Sequence, residues 1–414
     1  MTQRYSNVLH DTGSASSPAV SGSQARCLLA VIWIDWYAYH VARLRALAAH
    51  PVLRNRVTGI ELVGGAGVHG KLVFRAEDRD GLPIATLLPE SSWTEAGQRR
   101  LARLVWKKLD ELKPRAVLVP GYYTLPAMAA LLWARLHGKR AILMSESTRD
   151  DHPRKRFMEA LKGALVTRAF QAAITGGKRQ AAYMKDLGFH ERDLAGLYDV
   201  VGNEYFAEQA DYYRERSSRD ASKLPERYFV YVGRLAPEKN LAALIDAFAQ
   251  YRLLGGPLSL VLVGDGPEAG ALRQQVAAKG LTEQVVFAGL KDTCEIGPYY
   301  AFADWFILPS WLDPWGLVVN EAMAAGLPVI VSDRCGCSDD LVEDGGNGYV
   351  FHPAQEGSLL RVLMRTSEIK APQRELMARK SREIISRYSP RLWAEEVVRI
   401  AGLTHSASHS AARS

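Results

Sequence analysis

From residue 26 onward, short unbroken apolar runs alternate with longer stretches whose apolar positions recur every three or four residues. Residues 27–34, CLLAVIWI, form a continuous apolar run, the pattern of a strand buried on both faces. Helical periodicity follows over 40–48, and 57–63 reads as a second strand. The span 95–112 places Leu101, Leu104, Val105 and Leu109 on one stripe of a helix. A strand over 116–119 runs into Pro120-Gly121. A helix over 125–137 stops at Gly138, and 141–144 is again a strand.

The pattern restarts after Tyr205. Residues 217–226 are polar and read as a linker. Strands are expected over 228–232, 258–263, 285–287, 305–308 and 328–332, with helices over 240–252 and 270–279. Alternating strands and helices imply parallel sheets covered by helices. Two such series predict two Rossmann-like domains facing each other. Ligands of such sheets sit beyond the carboxyl ends of the strands, here a cleft between the domains.

Composition narrows this picture. At 414 residues, 48% hydrophobic and 23% charged, the chain has the balance of an ordinary globular protein and room for two cores. No apolar run reaches the ~18–20 residues of a membrane-spanning helix. Residues 1–24 are rich in Ser, Gly, Ala and Thr and carry no apolar segment, so they read as a disordered tail rather than a secretory signal. Residues 404–414 read the same way. A cytoplasmic setting follows, and the four cysteines, Cys27, Cys294, Cys335 and Cys337, are expected to stay reduced. Cys335-Gly-Cys337 lacks the second ligand pair that a zinc site needs, and no metal is expected.

The net charge of +7 is uneven. Residues 1–205 hold 29 Lys and Arg against 19 Asp and Glu, which leaves the remainder slightly acidic. A basic first half suits a membrane surface or an anionic acceptor, or is simply a solvated face. No nucleic-acid partner is expected. Within it, Arg154, Lys155 and Arg156 precede Phe157, Met158, Leu161 and Leu165, as in a basic amphipathic helix over 154–168. Such a helix either lies on an anionic membrane or packs on its own domain, and packing is the favoured reading.

Four segments carry candidate chemistry. In the first, residues 232–240, Gly233 ends a strand, and Arg234 and Lys239 put two cations at a strand-to-helix junction. The free N–H groups of the next helix favour an anion there, so a diphosphate clamp is one reading and a pair of surface cations the other. In the second, Gly264 and Gly266 leave room for close approach of a ligand after an apolar strand, or equally form a plain turn from strand to helix. In the third, residues 308–322, Asp313 and Glu321 lie eight positions apart. Gly316, Leu317 and Val318 open a helix whose N–H groups would face a phosphate, and Glu321 offers two acceptors to a ribose diol. The fourth, residues 332–348, is a strand, a loop, a short helix and a Gly/Asn turn.

Taken with Val285-Val286-Phe287-Ala288-Gly289, these segments lie in one order over about 120 residues and resemble the C-terminal domain of family 4 glycosyltransferases. The resemblance implies the two-domain GT-B fold and a retaining transfer from a UDP- or GDP-sugar without a metal. It implies catalytic roles for Arg234 and Lys239 on the diphosphate and for Asp313 beside the donor sugar, while Ser145 or Glu146 takes the place near the reacting centre, and Glu146 is the catalytic candidate of the two. It places Gly233, Gly264, Gly266, Gly316, Leu317 and Val318 around the donor, with Phe287 and Gly289 flanking the base and Glu321 on the ribose. The expected organisation is an acceptor domain over 25–202, a donor domain over 203–385 and a terminal helix over 386–403 that crosses back. The acceptor would belong to polysaccharide, glycolipid or other glycoconjugate synthesis, and would be lipid-linked if the basic half meets a membrane.

Three positions depart from the family pattern. The first acid of the pair is Asp313, where Glu is usual. The Gly-rich loop after the first strand is replaced by residues 35–40, DWYAYH. Where the family places a His after a middle strand, this chain has Ser145 and Glu146, with His40 and His152 nearby in sequence. Two other readings accommodate these departures: a sugar-nucleotide epimerase of the same architecture, and a non-catalytic nucleotide-sugar binder. A dinucleotide dehydrogenase is disfavoured, because no G-x-G-x-x-G follows the first strand.

Overall fold

The computed structural model describes residues 26–65, 79–151, 156–216 and 224–403. The expected tails, His152, Arg154, Lys155 and most of the 217–226 linker lie outside the described residues. So do the side chains of Arg156, Phe157, Met158 and Leu161.

The first domain is a seven-stranded, all-parallel sheet in the order β3-β2-β1-β4-β5-β6-β7. Its strands are β1 (Leu29–Trp33), β2 (Val57–Val63), β3 (Ile84–Leu88), β4 (Ala116–Pro120), β5 (Arg140–Ser145), β6 (Ala172–Thr175) and β7 (Leu194–Ala195). The helices are α1 (Ala38–Ala49), α2 (Gln98–Leu112), α3 (Leu125–Leu136), α4 (Arg156–Ala169) and α5 (Lys178–Asp186). Alternate residues of β1 enter opposite cores: Leu29, Val31 and Trp33 pack on one face, Ala30 and Ile32 on the other. Burial on both faces explains the unbroken apolar runs. The helix expected from residue 95 begins at Gln98. Gly97 enters it with φ 68°, and Glu95 is drawn into a turn by Ser92, whose Oγ donates to its carboxylate at 2.6 Å.

The second domain follows α6 (Asn203–Arg216). Its six-stranded parallel sheet has the order β10-β9-β8-β11-β12-β13. The strands are β8 (Tyr228–Val232), β9 (Ser259–Val263), β10 (Val285–Gly289), β11 (Trp305–Leu308), β12 (Val329–Ser332) and β13 (Gly348–Phe351). They alternate with α7 (Leu241–Leu253), α8 (Ala269–Ala278), α9 (Gly297–Ala301), α10 (Leu317–Ala324) and α11 (Ser338–Leu341), and α12 (Ser358–Ser367) and α13 (Ala371–Ile385) close the domain. Strand order reverses beside β1 in one sheet and β8 in the other, so each domain has its crevice at the carboxyl end of its first strand. The two crevices face each other, which is the GT-B arrangement.

The chain crosses between domains twice. Asn203 joins the crossings: its Nδ2 donates to the carbonyls of Ile385 (2.9 Å) and Tyr388 (3.0 Å). After the second crossing, α14 (Pro390–Ile400) lies on the first domain. Trp393, Val397 and Val398 are buried there with Leu29, Val31 and Leu47. The helix begins at Pro390 rather than 386, because Ser389 caps it, its Oγ accepting from the Leu392 N–H.

Candidate active site

The donor-side residues gather at the carboxyl ends of β8, β9 and β11. Gly316 takes φ 97° and opens α10, a conformation that strains any residue with a Cβ. One turn inside that helix, Glu321 is buried, and both its oxygens are occupied. Tyr300 of α9 donates its phenol to Oε2 at 2.7 Å, and Tyr39 of α1 donates across the cleft to Oε1. Burial pushes the Glu321 carboxyl up to about 7, against the pull of the two phenols. Two hydroxyl donors on one carboxylate is the arrangement a vicinal diol would also make.

Both clamp cations are matched by carboxylates of the chain. Lys239 Nζ sits 2.7 Å from Asp313 Oδ2 in a partly buried pair. Arg234, more exposed, pairs with Glu238 one turn away. The backbone holds this corner tightly: Trp311 N–H donates to the Glu238 carbonyl at 2.8 Å, and Asp313 forms a parallel bridge with Cys335. Asp313 therefore lies against Lys239, where the sequence suggested a donor-sugar hydroxyl.

The glycines after β8 and β9 touch each other. A Cβ on Gly264 would lie 1.9 Å from the Gly233 carbonyl, and one on Gly266 would lie 2.4 Å from that of Leu235. Their smallness is required by neighbouring backbone, before any ligand is considered. Phe287 has the Arg273 guanidinium 4.3 Å from its ring centroid, so one face of the ring is already covered.

On the facing domain, Glu146 follows β5 and opens to the cleft. Desolvation raises its carboxyl above the usual range, with Arg43 opposing and Asp313 and Asp151 adding to the rise. Behind it, Asp199 is fully buried beside Arg43, whose Nη2 lies 3.7 Å from its Oδ1. Burial, and then the Glu146 charge, push the Asp199 carboxyl well above its normal value. His40 packs parallel to Trp33 at 4.6 Å, and its Nδ1 accepts from the Tyr37 N–H at 3.3 Å. Burial and the Arg43 charge lower its pKa well below the usual value, so it is a neutral ring that starts α1.

The domains are in contact along one side of the cleft. Gln180 Nε2 donates to the Pro314 carbonyl at 2.7 Å, the Arg179 fork holds both oxygens of Asp339, and Asn320 Nδ2 donates to the Asp199 carbonyl at 2.9 Å. Trp315 Nε1 in turn donates to Asn320 Oδ1 at 2.9 Å, so the segment that opens α10 is tied to the first domain.

Residues 214–384, nearly the whole second domain, match the model of the family described as Glycosyl transferases group 1.

Curated glycosyltransferases match part of the chain. The chain is 30% identical over 213 residues to the lipopolysaccharide 1,2-N-acetylglucosaminetransferase of Salmonella typhimurium, 49% of this chain and 55% of that protein. It is 33% identical over 127 residues to the alpha-monoglucosyldiacylglycerol synthase of Acholeplasma laidlawii, 31% of this chain and 32% of that protein. The chain thus spans about a third to about half of these relatives. Among solved structures, a glycosyltransferase from Rickettsia africae superposes with TM-score 0.72 at 12% identity, covering 92% of this chain and 100% of that one. Anabaena Alr3699/HepE, in complex with UDP and glucose, gives 0.66 at 18% identity, covering 90% and 98%. These likenesses extend the shared GT-B fold over both domains.

Sequence reasoning missed Tyr39, Tyr300, Asp199 and Arg43. Asp199 carried a signal: a single carboxylate inside Leu197-Tyr198-Asp199-Val200-Val201. The two tyrosines carried none, since a phenol in an apolar run is ordinary core. Cys335 and Cys337 are buried thiols raised by burial, and no His, Cys, Asp and Glu group fit to hold a metal occurs among the described residues.

Proposed function

We propose that this chain is a glycosyltransferase that moves a sugar from a nucleoside-diphosphate donor on the second domain to an acceptor hydroxyl on the first. The observation that carries the proposal is the group 1 domain with Lys239, Asp313, Gly316 and Glu321 gathered at one cleft. The donor diphosphate draws Lys239 away from Asp313 and Arg234 away from Glu238. As the sugar–phosphate bond breaks, these cations and the α10 N-terminus take up the growing charge. The acceptor hydroxyl approaches the face the diphosphate leaves, so the anomeric configuration is retained. Glu146 receives the acceptor's proton, directly or through the departing phosphate, with Asp199 buried behind it. The diphosphate's charge is met by side chains, and no metal enters the proposal.

A UDP-sugar is the favoured donor, because a neighbour of the same fold is named in complex with UDP and glucose. The acceptor is proposed to be a glycoconjugate, since relatives are named for lipopolysaccharide and diacylglycerol glycosylation. A cytoplasmic setting at a membrane face would suit it, and no helix among the described residues is long and apolar enough to cross a membrane.

A thermal-shift screen against UDP-, GDP- and ADP-sugars, followed by transfer assays with and without EDTA, tests the reading. A stabilising donor whose sugar appears on an acceptor, with the anomeric configuration kept by NMR, supports it. An isomerised donor without any acceptor would mean an epimerase instead. Binding without turnover on lipid or glycan acceptors would leave a nucleotide-sugar binder.

A further inference from the structure

Helix α3 is apolar on both sides. Its inner side, Ala127, Ala130, Trp133 and Ala134, is buried in the first domain. Its outer side repeats Leu125, Met128, Leu132 and Leu136, at 42, 51, 54 and 68% exposure. These positions recur at three- and four-residue spacing, so they form one continuous stripe in solvent. Leu165 of α4, 60% exposed, extends the stripe sideways. A shallow groove of about 700 Å³ runs between α2, α3 and α4 along this face.

Among the described residues, each charged side chain lining that groove is an arginine: Arg99 and Arg103 from α2, Arg135 from α3 and Arg168 from α4. None has an ion-pair partner among the described residues. A contiguous exposed apolar patch of this kind marks an interaction surface. The surrounding charge chooses the partner. A second copy packed through the same patch would set arginines against arginines, because a two-fold interface is self-complementary. An anionic lipid surface supplies both what the stripe needs and what the arginines need: acyl chains a few Å below the interface, and negative headgroups at it.

We propose that the α2–α3–α4 face of the first domain docks on an anionic membrane, with the Leu125–Leu136 stripe in the interface and the four arginines on lipid headgroups. For the span 154–168, membrane contact is the alternative to packing on its own domain; among its described residues, Leu165 and Arg168 belong to this face. The site relates to the cleft by its position. Helix α3 begins just after the carboxyl end of β4, the strand beside β1 where the sheet order reverses. The stripe therefore starts at the cleft mouth, on the acceptor side. Docking this way is independent of the donor chemistry and would bring a membrane-embedded acceptor to the cleft.

The test is co-sedimentation of the full chain with vesicles of phosphatidylcholine alone or with one quarter phosphatidylglycerol. The expected result is binding to the anionic vesicles at low salt that fades by 0.5 M NaCl. Leu132→Glu should lower the partition at least ten-fold. Each of Arg103→Ala and Arg135→Ala should lower it about five-fold, the effect of about 1 kcal/mol per cation at the surface. All three sites are exposed, so circular dichroism and the donor-induced thermal shift should stay as in the parent. Wild type that remains in the supernatant overturns the proposal, as does Leu132→Glu that sediments like wild type. A dimer that Leu132→Glu dissolves, unaffected by vesicles, would overturn it in favour of a second copy. Absence of a donor-induced shift in every protein would count against the glycosyltransferase reading and leave the membrane result standing.

Discussion

The phenol of Tyr39, on the first domain, donates a hydrogen bond to Oε1 of Glu321, on the second. Tyr300 holds the other oxygen from within the second domain. Of the two phenols, only Tyr39 can leave by domain motion. If a donor ribose binds Glu321, it replaces Tyr39 first. Tyr39→Phe should therefore tighten nucleotide binding about three- to ten-fold, the net worth of one competing hydrogen bond. Glu321→Ala should weaken it by more than ten-fold. Isothermal titration with UDP reads both. Unchanged affinity in both variants would remove the ribose from Glu321.

The same carboxyl sets a pH dependence. Its folded pKa is about 7, against 4.5 for an unperturbed glutamate. The folded state thus holds the proton more tightly. Its contribution is present in full below pH 4.5 and is lost as pH rises through 7. That difference corresponds to on the order of 3 kcal/mol. Urea unfolding of wild type should fall in free energy across pH 4.5–7 relative to Glu321→Gln, which cannot titrate. Parallel curves for the two proteins would mean that Glu321 is ionised and well solvated throughout.

Much of this architecture was legible from residues alone. Strands buried on both faces read as apolar runs, as in residues 27–34 and 228–232, and the α/β alternation gave two parallel sheets. Short strands did not read: β7 is two residues long, and β6 is an Ala-rich stretch with little β character. The donor corner was visible because one continuous segment, 308–322, brings Asp313, Gly316 and Glu321 with it. The facing side was not. Tyr39 meets Glu321 across 282 positions, and Asn320 meets Asp199 across 121. No periodicity encodes a contact between two domains. The glycines were noticed for the right smallness and partly for the wrong neighbour: Gly264 is tight against the Gly233 carbonyl.

The Lys239–Asp313 pair separates structure from chemistry. Its side chains are only 19% and 11% exposed, so removing one partner strands a nearly buried charge. Lys239→Met should cost about 2 kcal/mol in urea unfolding, and Lys239→Met/Asp313→Leu should recover most of it. Both proteins should lose transfer by a factor of about 10² or more, as expected when a group that meets transition-state charge is removed. Activity that returned with stability in the double variant would make the pair a structural clasp and nothing else.

Gly264 offers a sharper separation of packing from ligand contact. It takes φ 138°, and a Cβ there would lie 1.9 Å from the Gly233 carbonyl oxygen. That neighbour is backbone, held in place because the Gly233 N–H donates to the Val263 carbonyl at 3.0 Å and the Gly264 N–H to that of Gly289 at 2.8 Å. Neither side can give without breaking the ladder that joins β8, β9 and β10. Gly264→Ala should therefore cost upward of about 3 kcal/mol, in the range of severe strain. Gly280 is the control. It also has positive φ, 68°, but nothing lies within 4 Å of its added Cβ, so Gly280→Ala should cost only the left-handed penalty of about 1–2 kcal/mol. Thermal unfolding of both variants without nucleotide decides the matter. If Gly264→Ala is as stable as wild type and loses only nucleotide affinity, the glycine is there for the ligand. If it unfolds early without any ligand present, the contact between the β8 and β9 loops is what requires it.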